Sequence, residues 1–335
     1  MESIVELVLT RVVPRVLKIA LLIGVGVSLA NIAVEFGAVK RIASVARPIT
    51  KAANLPEEVG TAILATAAST TAGYGMLAEY RESGKIDDTE TLIAVSINTF
   101  FGFTQHILTF YAPVLIPILG LKVGLMYVGA RAAISLSITS VGIAAGALLL
   151  SDVSRENETE VTGSKVDTDA GTDTDTDTDT DVDDDTRTPK EKTREALGSS
   201  ASTLRSILPR LAVIYTVVVV LTQNYDVRSL TSFGQPIAEV TGLPSESIPV
   251  IAVYAIDTTS GSLTLAPMLD TAFTPRQAVA TMLIGGIVSF AVTTFRRSIP
   301  FQYGIWGAKF GSKVIILNTT LKVIFISLTV ALLLY

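Results

Sequence analysis

The chain has no cysteine and a single histidine, His106. The first absence removes disulfides and thiolate metal sites. The second removes paired-histidine zinc motifs and leaves a Ser-His-Asp triad only one residue to be built around. No Walker loop, GxGxxG, HExxH or GxSxG occurs, so phosphate-cradling loops, dinucleotide folds, zinc proteases and hydrolase elbows have no support. Charge is scarce as well, at 17% of residues against 49% hydrophobic, with a mean hydropathy of +0.52. The expectation is a protein that is not an enzyme, holds no cofactor or metal and binds no nucleic acid.

What the chain does have is long apolar runs. Val16–Phe36, Val123–Leu150, Ile207–Tyr225, Gln277–Phe295 and Val314–Tyr335 each approach the roughly 20 apolar residues that an α-helix needs to cross a bilayer. Short alternating strands, the mark of a barrel, are missing. The predicted class is an all-α polytopic membrane protein, multi-pass in the cell membrane. Glu2, Glu6 and Arg11 precede the first run without a small-residue cleavage site, so that helix is expected to be retained.

The net charge of −5 is unevenly placed. Residues 151–200 carry sixteen Asp/Glu against six Lys/Arg, whereas the rest carries fifteen against twenty. Within them GTDTDTDTDTDVDDDT lacks the apolar surface to offset the entropy of ordering, and reads as a disordered, hydrated tether. The expected organisation is a membrane repeat over 1–150, an acidic linker over 151–200 and a second membrane repeat over 201–335.

The repeat is visible in three blocks. VPRVLKIALLIGVGVSLANI at Val13 resembles LPRLAVIYTVVVVLTQNY at Leu208. PITKAANLPEEVGTAILATAASTTAG at Pro48 resembles PIAEVTGLPSESIPVIAVYAIDTTSG at Pro236, and PVLIPILGLKVG at Pro113 resembles PFQYGIWGAKFG at Pro300. Ordered landmarks with small drift in spacing are what an old duplication leaves. In the last block the prolines and glycines do not fit one straight helix, so they read as a turn between spans, with Lys122 and Lys309 at the bilayer edge.

Leu55–Tyr80 and Leu243–Met268 each open on a proline and an acidic residue, run about a dozen residues, and break at a small polar cluster. That length is roughly half a bilayer at the helical rise. Each is read as a re-entrant helical hairpin with its tip at membrane depth. Each copy then crosses three times and the two copies are inverted; were the hairpins to span, the copies would be parallel. Lys/Arg placement puts the linker in the cytoplasm. The segment over 36–55, with Lys40, Arg41, Arg47 and Lys51 beside apolar residues, suits an amphipathic helix in the headgroup region as well as it suits a solvated loop.

Polar groups at membrane depth are costly and mark pathways or partners. The tips supply the leading candidates: Ser69, Thr70, Thr71 and Gly73 in the first, Asp257, Thr258, Thr259, Ser260 and Gly261 in the second. Their hydroxyls and freed backbone groups suit a small polar solute or a cation, although small residues also serve helix packing. Asn98, Thr99 and Gln105 fall close to one helical face and can line a cavity; His106 beside them is a packing residue or a proton-sensitive ligand. Arg131 matches Asn318, and Ser135 matches Lys322, in the two final helices; the cations are read first as snorkelling or structurally paired.

The stretch STTAGYGMLAEYRESGKIDDTETLIAVSINTFFGFTQHILTFYAPVLIPILG resembles the Gate, or nucleoside recognition, domain of concentrative nucleoside transporters, ferrous-iron permeases and spore-maturation membrane proteins. The resemblance lies in layout, covers Leu55–Ala132 with an echo in Leu243–Thr320, and implies paired re-entrant hairpins around a substrate cavity between inverted repeats. It points to the tip residues and Asn98 for solute contact. The departures are sparse acidic residues in the hairpins, no GTPase domain and no cysteine. The expected function is a transporter or permease of a small polar solute, nucleoside-like or an ion, with Asp257 the candidate coupling carboxylate. The expected partners are membrane lipid, the solute, a coupling ion and a second copy of the chain. A partner-recruiting scaffold of the spore-maturation type is the rival.

Overall fold

The structure is a computed structural model and describes residues 4–35, 46–150, 242–269 and 271–335, with scattered positions between 205 and 220. The acidic linker, Lys40, Arg41, Asp270 and most of the run at Ile207–Tyr225 lie outside the described residues. Within the described residues the chain is almost entirely helical and has no strand.

A short helix α1 (Ile4–Leu7) passes through a π-helical turn at Val8–Val12 into α2 (Val13–Glu35). Helices α3 (Ala46–Ala52), α4 (Glu57–Ala68), α5 (Thr70–Glu82) and α6 (Asp88–His106) follow. A second π segment, Ile107–Leu115, leads into α7 (Ile116–Leu119) and then α8 (Leu121–Leu149). Beyond the linker come α9 (Ser247–Ile256), α10 (Thr258–Leu265), α11 (Pro275–Thr293), a π turn at Thr294–Ser298 and α12 (Ile299–Leu334).

The same local devices recur about 187 positions apart. Helices α6 and α11 are each 19 residues long and each begin with a capping box, Asp87 with Glu90 and Thr274 with Gln277. Both run into π-helical turns, at Ile107 and Thr294. A proline lacks an N–H and crowds the carbonyl one turn back; widening the turn relieves both. Each of the three π stretches lies around or just ahead of such a residue: Pro14, Pro113 and Pro300.

Chain reversal is concentrated at single residues. Gly120 has φ 78° and ψ 162°, and Gly307 has φ 70° and ψ 161°, a region open only to glycine. Past each corner the chain folds back tightly, because Gly124 presses on the Ile116 backbone and Gly311 on the Gln302 backbone. The turn expected over Pro113–Gly124 therefore narrows to Gly120: Pro113 sits inside the helix, absorbed by the π register. Joined in this way, Asp88–Leu119 is one of three helical stretches among the described residues that are long and apolar enough to cross a membrane, with Leu121–Leu149 and Ile299–Leu334, the last of them broken at Gly307. The latter two fall on expected spans; the first had been masked by its prolines.

Ser69 and Asp257 are single-residue breaks of a different kind. Both are extended, at φ −146°, ψ 116° and φ −149°, ψ 121°, and each caps the following helix with its side chain. The hairpin arms then close on glycine, with Gly73 against Thr66 and the Ala62 carbonyl and Gly261 against Tyr254.

Packing between the halves is reciprocal. The first hairpin and α6 share a core with Trp306, Phe310 and Val314 beside the Gly307 corner. The second hairpin and α11 share a core with Leu115, Ile118, Leu119 and Val123 beside the Gly120 corner. An ion-pair cluster fastens the first of these contacts: Asp88 accepts from Arg81 at 2.7 Å and from Lys313 at 2.9 Å, and the Arg81 guanidinium lies 4.0 Å from the Phe310 ring centroid. Asp88 opens the 32-residue helix that ends at the Gly120 corner, about 45 Å away at the helical rise. The two corners thus lie at opposite ends of the bundle.

Glycine substitutions separate these roles. Gly124→Ala, whose Cβ would come 2.8 Å from the Ile116 Cα, should lower the thermal unfolding midpoint. Gly75→Ala, in α5 with nothing within 4 Å, should raise it, by up to about 1 kcal/mol in stability. Equal effects would contradict the close packing described at the corner.

Candidate functional site

A polar cavity of about 220 Å³ lies where the two halves meet. From the first half it takes Thr66 of α4, Thr70 and Tyr74 of α5, one face of α6 from Asn98 to His106, Tyr111 of the π segment, and Arg131 and Ser135 of α8. From the second it takes Asn318 and Lys322 of α12. The two matched pairs, Arg131 with Asn318 and Ser135 with Lys322, thus converge on one space.

Local structure explains why these side chains point there. A face of α6 repeats at helical spacing, so Asn98, Thr99, Gly102 and His106 line up over two turns. Asn98 Nδ2 donates to Thr66 Oγ1 at 2.8 Å, and Thr66 Oγ1 donates to the Ala62 carbonyl at 3.1 Å. Thr70 Oγ1 donates to Gln105 Oε1 at 3.0 Å, tying the first tip to α6. Thr139 of α8 donates to the Ile97 carbonyl at 3.0 Å, which holds α8 against the same helix. Across the halves, Tyr74 of α5 and Asn318 of α12 line the same space.

The cavity is electropositive. Arg131 and Tyr111 line it together, and the Lys322 ammonium lies 5.9 Å from the Phe290 ring centroid. The two charges act on each other, and both act on His106. Among the described residues neither cation forms an ion pair and no carboxylate lines the cavity. Asp257, one of the two carboxylates read as a partner for these cations, does not line the cavity, and Asp270, the other, lies outside the described residues. One further polar atom lacks a partner: Asn98 Oδ1, in a side chain only 2% exposed.

The expected site residues divide. Thr70 and Asn98 line the cavity; Ser69 caps α5, Thr71 is exposed, and Gly73 closes the hairpin. Asp257, Thr258, Thr259, Ser260 and Gly261 do not line it. The Asp257 carboxylate accepts from the Ser260 N–H at 2.7 Å and from Ser260 Oγ at 2.6 Å, and so serves as the α10 cap.

The asymmetry has a steric cause. Tyr254 occupies in the second hairpin the position of Thr66 in the first, and Gly285 occupies in α11 the position of Asn98 in α6. A Cβ on Gly285 would come 2.9 Å from the Tyr254 ring, so the ring fills the hollow that Thr66 and Asn98 leave open. Tyr254 then pairs its hydroxyl with Tyr127 at 2.6 Å, and Tyr127 stacks edge-on to the cavity residue Tyr111 at 6.0 Å between centroids. The second tip reaches the cavity only through these rings. Thr66, Tyr74 and Tyr111 escaped the sequence reading; the Thr66–Tyr254 match within the repeat was the available signal.

No family model matches the chain, and no solved structure does. Two uncharacterised proteins of Methanocaldococcus jannaschii are similar to it: one is 22% identical over 92% of this chain and 90% of its own length, the other 23% identical over 93% and 95%. The similarity extends over nearly the whole of both relatives.

The tyrosine pair offers a double-mutant test. Tyr127→Phe or Tyr254→Phe alone leaves a buried hydroxyl without its partner and should destabilise by about 1–3 kcal/mol. The double variant should be less destabilised than the sum of the two. Simple additivity in chemical denaturation would show that the hydroxyls are uncoupled.

Proposed function

We propose that the protein is a multi-pass membrane transporter or permease, built from two inverted copies with re-entrant hairpins, that moves a small polar solute through the cavity between them. The observation that carries this reading is the polar cavity itself. It lies between halves whose long helices are apolar enough to span a bilayer, and both halves line it. Polar and charged groups at that depth are rarely retained without a pathway or partner to serve.

Supporting observations come from the surface and the topology. Large apolar side chains stand exposed on α2 (Leu17, Leu21), α8 (Leu125, Leu148) and α12 (Ile316, Leu332), as lipid contact would require. Corners at opposite ends of the bundle, with each hairpin packed on the other half's corner, suit a two-fold axis lying in the membrane plane. The Gate-like layout is consistent with this arrangement. Transport then amounts to one copy rocking against the other about the shared cavity, with Thr70 and Asn98 contacting the solute.

The cysteine-free chain makes the topology directly testable. Single Lys122→Cys and Lys309→Cys variants, both at exposed positions, should react with an impermeant maleimide from opposite faces of sealed vesicles. Labelling from one face would exclude inversion. For transport, the reconstituted protein should carry at least one member of a labelled panel of nucleosides, amino acids and organic acids. Asn98→Ala should slow that uptake about tenfold, equivalent to about 1.4 kcal/mol. Uptake no faster than in empty vesicles across the panel would return the chain to the scaffold reading.

A further inference from the structure

We propose that the solute is a small soluble anion, an oxyanion head held between Arg131 and Lys322, with a hydrogen-bond donor turned to Asn98. The inference rests on the transport reading and gives its cargo a charge and a shape.

The two cations come from different halves and share one cavity. Each sits in the middle of a long apolar helix, where an unpaired charge is expensive. In most proteins a cation at such depth has a carboxylate beside it. Here the cavity supplies none among the described residues, and the neighbours it does supply are neutral: Tyr111 shares the lining with Arg131, and the Phe290 ring lies beside Lys322. Two like charges facing one space repel, so the protein keeps an arrangement that costs stability in the empty state. An anion bridging them would remove both the repulsion and the desolvation penalty. A guanidinium also suits an oxyanion in particular, because its planar donors match two oxygens of a carboxylate or phosphate.

Asn98 adds a second, independent requirement. Its Nδ2 is committed to Thr66, whose own hydroxyl is committed to the Ala62 carbonyl, so the network fixes the amide with Oδ1 as a free acceptor. A buried acceptor without a partner calls for a donor. Cation binding is disfavoured by the two positive charges, and a neutral solute would satisfy Asn98 while leaving both charges bare. An anion that also carries a hydroxyl or N–H meets all three. The cavity volume of about 220 Å³ favours a compact cargo.

The placement of the charges across the halves also suggests how binding couples to movement. Arg131 belongs to the first copy and Lys322 to the second, so an anion between them draws the copies together. An empty cavity leaves them pushing apart. Closure would therefore depend on cargo, through charges alone.

The test uses the full-length protein in detergent and glycolate, a carboxylate with a hydroxyl donor, with inorganic phosphate as a second anion. Uridine is the neutral comparison and phosphatidylglycerol the lipid source of an oxyanion. Thermal midpoints are read alongside the fluorescence of Trp306, the chain's only tryptophan, whose ring lies 6.1 Å from that of the cavity residue Tyr74. Millimolar glycolate or phosphate should raise the midpoint and change the fluorescence. Lys322→Met should abolish both responses, or weaken anion binding at least tenfold, while raising the midpoint of the empty protein, because it removes an unpaired charge. Lys322→Arg should retain the response. A merely structural lysine would behave in the opposite way, with Lys322→Met lowering the empty midpoint and leaving any anion response intact. That result would overturn the proposal. So would a response to phosphatidylglycerol without one to either free anion, or no response to any of the four. A response to uridine alone, unchanged in Lys322→Met, would overturn the charge assignment while leaving the transport reading standing.

Discussion

The structure depends on two residues that no side chain can replace. Gly120 and Gly307 hold φ values near +75°, and through them two long helices turn back on themselves within one residue. A looser turn would shift the returning helices along their partners by several ångströms. Arg131 lies eleven residues past the first corner in the chain and Lys322 fifteen past the second, so the corners set the depth at which each charge enters the cavity. Gly124 and Gly311 complete the constraint, since a methyl group at either would force the two arms of the corner apart.

Matched backbones need not make matched sites. The two halves share their caps, their breaks and their π turns, yet only the first hairpin borders the open cavity. The difference comes down to volume. Threonine and asparagine at positions 66 and 98 leave room and present hydrogen-bonding groups, whereas tyrosine and glycine at 254 and 285 fill the corresponding space with a ring. One half then supplies most of the polar lining, and the other supplies a packed wall together with the charge of Lys322. The two halves therefore differ at the cavity although their local backbone devices match.

The hairpin tips show why small polar clusters are hard to interpret. A serine or aspartate after a helix, followed by threonines and a glycine, describes a solute-binding turn and a helix cap equally well. The structure uses Ser69 and Asp257 as caps, because their extended backbone leaves N–H groups of the next helix without partners, and the nearest oxygen is their own side chain. The hydroxyl one residue on decides between the roles. Thr70 lines the cavity and donates to Gln105, whereas Thr258 does not line it.

Composition and spacing alone determined the helical class, the paired breaks, a turn somewhere in Pro113–Gly124 and its match at Pro300–Gly311, and the matched positions of Arg131, Asn318, Ser135 and Lys322, because all of these follow from local backbone chemistry and from periodicity along one chain. Pro113 read as part of a turn, whereas the structure absorbs it in a widened helical register, because a proline marks where a helix is disturbed without deciding whether it breaks or widens there. Only the tertiary structure decided which polar residues share a cavity. Convergence of Asn98, Arg131 and Lys322 depends on how residues more than thirty positions apart pack across two halves, and on whether a ring or a hollow stands between them. Sequence fixes what a helix face carries; the space in front of that face is set by its neighbours.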